Sequence, residues 1–406
     1  MKCICQSYEL QTIRTYNKAL AEIARRNSSK GVKLNWVFNN LPNFHVCAPE
    51  LPPCLAHDLF EGVISYDLKL ILDKLFKEKW FTLQELNASI QSFGYSKEEK
   101  ADKTCPVSDD AAKISGGAWQ IWTFLRLLPI LIEDKVQDIE NEAWHLILLI
   151  TEIVEIVCLS EIPTFQLPYL ERIICEYLLT RQTLFSESLR PKRHYLRHYS
   201  QLILVILEFG PLMKVCTMRF ESRHTFFKRD IRFLHNFINV PESLAEKHEL
   251  FQSLLRLGAD LRFDAEVFEA TNFKIHMYDE KIQSAVRKAN FPNNVQECSR
   301  VIVKGTEYKK GNALVLRQSG YQYDTVIGKI CMFLCDDEQD IYAIFEIVQS
   351  VFWPYLRAYE LGKIKSYECL PLQYVVSYKP MHEYNVGTML CIKPHHGFLA
   401  KSSTLD

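Results

Sequence analysis

The chain has no apolar run long enough to cross a membrane. Its two greasiest stretches, Leu125–Ile132 and Leu146–Val157, are interrupted by Arg126, Pro129, Glu152 and Glu155. Neither reaches the roughly 20 uninterrupted apolar residues that a spanning helix needs, so both read as core helices. A secretory leader is not expected, because Met1-Lys-Cys-Ile-Cys-Gln-Ser turns polar at once. There is no excess of either charge, the formal net value being -1, so no global field draws the chain to nucleic acid. A local footprint stays open. Fixed-period repeats and low-complexity tracts are missing. The 13 cysteines are scattered rather than paired, which suits a reducing compartment and free thiols.

What is present is an ordinary globular composition, 48% apolar and 24% charged over 406 residues, enough for two or three domains. Apolar spacing of three and four predicts helices over 7–28, 59–78, 81–93, 119–132, 136–158 and 169–186, and again after Asn239-Val-Pro-Glu242, which has the form of an N-cap. Residues 1–258 therefore read as a helical region. Residues 259–300 are a mixed connecting segment with one helix at 279–289. From Val301 the period becomes two: Val301–Val303, Ala313–Leu316, Val326–Leu334, Ile341–Ile347, Cys369–Val376 and Met389–Ile392 read as strands. Residues 301–406 are thus expected to form a small β-rich, barrel-like domain. Trp353, Tyr355 and Tyr359 would lie on its surface, as packing or a partner surface sooner than as a dedicated cage for a peptide or single strand. The overall expectation is a mainly α chain followed by this barrel.

Four constellations could carry chemistry. Cys54-x-x-His57 is half of a zinc site by spacing and donor type, or else a buried thiol beside a hydrogen-bonded histidine. His194 and His198, four apart on a helix, turn both rings the same way. With Cys54 and His57 they would complete a four-ligand structural zinc site, for which His45 and Cys47 are competing donors. A His-Glu-x-x-His hydrolase is excluded, because Tyr195 follows His194. The third constellation is Glu221, on a helix whose apolar stripe is Phe220, Phe227, Ile231, Leu234 and Ile238, with His224 and Lys228 beside it. It is either an ion-pair partner of Arg223 or Lys228 or one acid of a metal site, for which Asp58 and Glu61 are candidate companions. The fourth is the cluster Arg219, Arg223, Lys228, Arg229 and Arg232, which could grip phosphates or form a solvated helical face.

Two long motifs carry a resemblance. Leu51-Pro-Pro-Cys-Leu-Ala-His-Asp-Leu-Phe-Glu-Gly-Val-Ile-Ser-Tyr-Asp-Leu and Met218-Arg-Phe-Glu-Ser-Arg-His-Thr-Phe-Phe-Lys are similar to CACTA-like DDE transposases and their domesticated relatives, as are 194–199, 239–250 and 303–311. The likeness covers most of the chain. It implies an RNase H-like core of two aspartates and a glutamate, interrupted before the glutamate helix by a helical insertion. Glu221 would be the third acid, and Cys54 and His57 the insertion's Cys/Asp-x-x-His signature. His194 and His198 would match the zinc-binding pair of the distantly related V(D)J recombinase. The first two aspartates and their associated Cys-x-x-Cys pair would lie upstream of Met1, and Cys3-Ile-Cys5 has the wrong spacing to replace that pair. The resemblance thus implies a C-terminal portion of such an enzyme that is catalytically incomplete, with Glu221 vestigial. It would reside in the nucleus, bind DNA, a protein partner or a second copy, and hold structural zinc. Magnesium would enter only with a complete triad. Two further readings stand beside it: a strand transferase or nuclease completed by another subunit, and a zinc-stabilised helical scaffold.

Overall fold

The computed structural model describes residues 11–23, 28–47, 54–185, 196, 209–234, 238–257, 265–289, 295–318, 325–336, 340–377 and 379–397. Its helices are α1 (Ile13–Ile23), α2 (Leu55–Ile64, wound as a π-helix), α3 (Ser65–Lys77), α4 (Leu83–Ser92), α5 (Ala118–Leu131) and α6 (Glu142–Val157), then α7 (Leu167–Leu184), α8 (Thr217–Leu234), α9 (Val240–Arg256) and α10 (Glu280–Lys288). The expected leading helix is thus described only as α1. The stretch from Leu202 towards Phe209 falls almost wholly outside the described residues. No helix among the described residues is long and apolar enough to cross a membrane.

The chain forms two compact units that interleave in sequence. The first comprises Met1–Leu83, Thr104–Leu125 and Gln137–Thr217; the second comprises Gln84–Lys103, Arg126–Val136 and Met218–Asp406.

The first unit is helical. α2 runs directly into α3, and the pair buries Leu59, Phe60, Ile64, Leu68, Ile71 and Leu75. α6 buries eleven of its 16 residues. It starts cleanly because Asn141 Oδ1 accepts from the backbone N–H of Ala143 and of Trp144, at 2.9 and 3.3 Å. Inside this unit Asp67 is buried and doubly held. Tyr177 Oη donates to it at 2.8 Å, and the Arg181 guanidinium lies 3.4 Å away. Burying these charges is tolerable only because they face each other.

The second unit carries the strands: β1 (Ala265–Phe268), β2 (Thr271–Asn272), β3 (Gln296–Cys298), β4 (Arg300–Val303), β5 (Thr306–Lys309), β6 (Ala313–Gln318), β7 (Thr325–Cys335), β8 (Ile341–Trp353), β9 (Ala358–Pro371), β10 (Glu383–Val386) and β11 (Met389–Ile392). The barrel expectation is corrected here, and with it the mainly α class: the fold is mixed α and β. One sheet runs β10-β11-β9-β8-β7-β3-β2 with β6 also on β7, and a separate sheet runs β1-β4-β5. All pairings are antiparallel. The larger sheet ends at β10 and β2, which do not pair with each other, so it stays open. Among the described residues the outer edge of β6 is met by an isolated bridge from Ala313 to Met381 and by N–H groups of Val376 and Ser377 on the Val315 carbonyl.

Two details shape this sheet. Gly328 sits where β6 and β8 close in: a Cβ there would lie 2.7 Å from Leu316 Cδ1 and 2.9 Å from Phe345 Cβ. A bulge between Ile330 and Met332 then breaks the alternation. Strict alternation would put Gly328, Ile330, Met332 and Leu334 on one face. Instead Ile330 joins the cluster of Phe333 and Phe345, while Met332 and Leu334 pack with Ile344 and α10.

A buried polar knot lies within the second unit. Arg126 pairs with Glu99 and donates from Nη1 to the Lys393 carbonyl at 3.1 Å, and Tyr384 Oη also donates to Glu99. Burial alone would raise the Glu99 pKa. The Arg126 charge, the Tyr384 hydroxyl and the Ser96 N–H outweigh it and hold the group below its ordinary 4.5.

Candidate functional site

Cys54 is the N-cap of α2. Its φ and ψ of -86° and 117° are extended, and its Sγ accepts from the His57 N–H at 3.5 Å. Its own N–H donates to Asp58 Oδ2 at 2.9 Å, so the thiol and the carboxylate cap the helix start reciprocally. The thiol also lies 2.9 Å from Thr217 Oγ1, the last residue of the first unit. That partner is 163 positions away and carries no sequence signal. The His57 ring is half exposed, and its Nδ1 lies 3.2 Å from Glu61 Oε2. Glu61, considered as a metal-site acid, thus engages a histidine one turn away.

The described half of the proposed zinc set supplies one thiolate and one imidazole. Each is already in contact with a protein group: the sulfur with Thr217, the ring with Glu61. His194 and His198 lie outside the described residues. Of the competing donors, Cys47 donates its backbone N–H to His45 Nδ1 at 3.1 Å. Among the described residues no group of three or more His, Cys, Asp or Glu side chains gathers as metal ligands.

The glutamate helix is α8. Glu221, His224, Thr225, Lys228, Arg229 and Arg232 are exposed on it, while Phe227, Asp230 and Ile231 are half-buried. At 3.6 residues per turn the six exposed positions fall within an arc of roughly 140°. Glu221 therefore shares one solvent face with Lys228 and Arg232. The side chains of Phe220, Arg219 and Arg223 lie outside the description, so the Glu221–Arg223 pairing and two members of the cationic cluster do as well. The opposite side of α8 meets α9 at Phe227 and His248, whose ring centroids are 5.7 Å apart. α9 does begin at Asn239, but not as an accepting cap. Asn239 is left-handed at φ 51°, and its side-chain amide donates to Glu242 instead.

Chemically, this face presents the exposed cations Lys228, Arg229 and Arg232 with one carboxylate at its start. It suits a polyanion followed along the helix axis. Compared with known proteins, the chain matches no family model, and no curated protein or solved structure is significantly similar to it.

Proposed function

We propose that this chain is a transposase-derived nucleic-acid-binding protein, acting on DNA in the nucleus and gripping the phosphate backbone with α8. The observation that carries the reading is the shared exposure of Lys228, Arg229 and Arg232, with His224, on one face of one helix. Three cations on one face neutralise phosphates without reading bases, so the binding is weakly sequence-dependent and strongly salt-dependent. In the same reading Glu221 is the vestigial third acid. On the resemblance, the two-metal chemistry of strand cleavage needs two further acids beside Glu221, and in this reading the chain by itself binds rather than cuts. Zinc enters only as a structural ion, at Cys54 and His57 with His194 and His198.

The test is an equilibrium titration of duplex DNA over a salt series. For about three phosphate contacts, log K should fall against log salt with a slope of about -2.7. Binding that is absent at low salt, or present with no salt dependence, refutes the reading. Magnesium-dependent cleavage by the wild type that disappears in Glu221→Gln would restore the enzyme instead.

A further inference from the structure

The end of β8 and the turn after it hold an aromatic corner that the DNA-binding face does not use. Trp353 closes β8, and Tyr355 follows in the turn that leads into β9. Their ring centroids are 5.8 Å apart and the planes meet at 78°, an edge-to-face contact. Trp353 Nε1 donates to Glu360 Oε2 at 2.9 Å, which fixes the orientation of the indole. A second carboxylate comes from Glu133, in the short 3-10 turn Glu133–Lys135. Its Oε2 lies 4.0 Å from where a Cβ on Gly387 would stand, at the β10–β11 turn. All four side chains are partly exposed.

Both carboxylates act on the same spot. Burial first, and then the Glu133 and Glu360 charges together with the Cys391 thiol, raise the Tyr355 pKa. Cys391, opposite Glu360 across the β9–β11 pairing, is pushed up to about 11, chiefly by burial and then by the same two carboxylates. Among the described residues neither Glu133 nor Glu360 forms an ion pair. The nearby cations are otherwise engaged: Lys135 pairs with Asp134 at 2.7 Å, and buried Lys393 donates to the Leu356 carbonyl.

We propose that Trp353, Tyr355, Glu360 and Glu133 form a binding site for an alkylated ammonium group, as carried by a methylated lysine side chain or a free quaternary amine. Ring faces are the negative part of an aromatic quadrupole, and perpendicular rings present two such faces to one cation. A methylated ammonium has lost N–H donors and with them much of its hydration, so it gains from aromatic walls what an unmodified ammonium gains from water. The two carboxylates supply the net negative potential. This site is independent of α8 and stands or falls apart from DNA binding.

The full chain is titrated with tetramethylammonium, with a peptide bearing one trimethylated lysine, and with its unmethylated twin. The Trp353 indole resonance is followed by NMR and assigned by its loss in Trp353→Phe. The expected result is a saturable shift with tetramethylammonium and with the methylated peptide, and an unmethylated peptide about tenfold weaker or more. Trp353→Ala should abolish the response. Glu133→Gln, which removes a charge from a partly exposed turn and should keep a melting temperature close to wild type, should weaken it several-fold, so the test survives a poorly folded Ala variant. A methylated peptide binding more tightly than tetramethylammonium assigns the ligand to a protein chain, and equal affinities assign it to a free amine. Absence of a saturable shift, or equal response to methylated and unmethylated peptides, overturns the proposal.

Discussion

α6 and α9 have nearly the same length, 16 and 17 residues, and opposite fates. α6 buries eleven of its residues and α9 buries none. Leu250, Leu254 and Leu255 of α9 remain 67%, 48% and 42% exposed, while Trp144, Leu146, Ile147 and Ile153 of α6 are fully enclosed. Apolar spacing produces a helix in both cases. It does not decide how much of that helix is covered, which depends on how much apolar surface the neighbouring elements bring. α6 belongs to the first unit's core, and α8 with α9 carries a solvent-facing row of charges.

Substitutions in the two helices should differ accordingly in their effect on stability. The largest effect is expected at Trp144, fully enclosed in α6: Trp144→Ala should cost about 3–5 kcal/mol in chemical denaturation. If the loss were below about 1 kcal/mol, α6 would not be core. Next comes the buried pair of Glu99 and Arg126, each 5% exposed at the side chain. Glu99→Ala strands a buried guanidinium and should cost roughly 3 kcal/mol or more.

The same pair sets an acid limit. The Glu99 pKa is lower folded than unfolded, so its stabilisation is fully present above the ordinary carboxylate value of 4.5. It is lost as pH falls through the lower, folded value. Wild-type stability should therefore drop more steeply below about pH 4.5 than that of Glu99→Gln, read from urea midpoints. Parallel pH curves would show that the carboxylate is not held in this way. The smallest effect is expected in α9, where Leu250→Ala should change stability by no more than about 0.5 kcal/mol. A larger loss would mean that something covers this face in solution.

Most helices were legible in the sequence because their apolar spacing is regular: 59–78 against α2 and α3, 119–132 against α5, 169–186 against α7. The charges that interrupt the greasy stretches were legible as interruptions but not as partners. Arg126 is buried on Glu99, and Glu152 accepts from the Tyr169 hydroxyl at 2.7 Å, a contact across 17 residues. β9 was read only at its end, because residues 362–366 are all exposed and show no alternation of burial. Tyr359, expected at the surface with Trp353 and Tyr355, is 2% exposed and packs among Val348, Leu361 and Ile392. The sheet's openness depends on which strands fail to meet, and local periodicity carries no such information. At the candidate site the cations of α8 were legible by type and spacing. Their exposure was not, nor was the tie from Cys54 to Thr217, since both depend on long-range packing.

α8 is proposed to serve binding rather than stability. The most direct measurement is the salt dependence of DNA affinity in the triple variant Lys228→Ala, Arg229→Ala, Arg232→Ala, with its melting temperature recorded on the same sample. The account predicts a slope shallower by about 2.7, weaker binding at low salt, and a melting temperature close to wild type. An unchanged slope and affinity in a folded variant would contradict it.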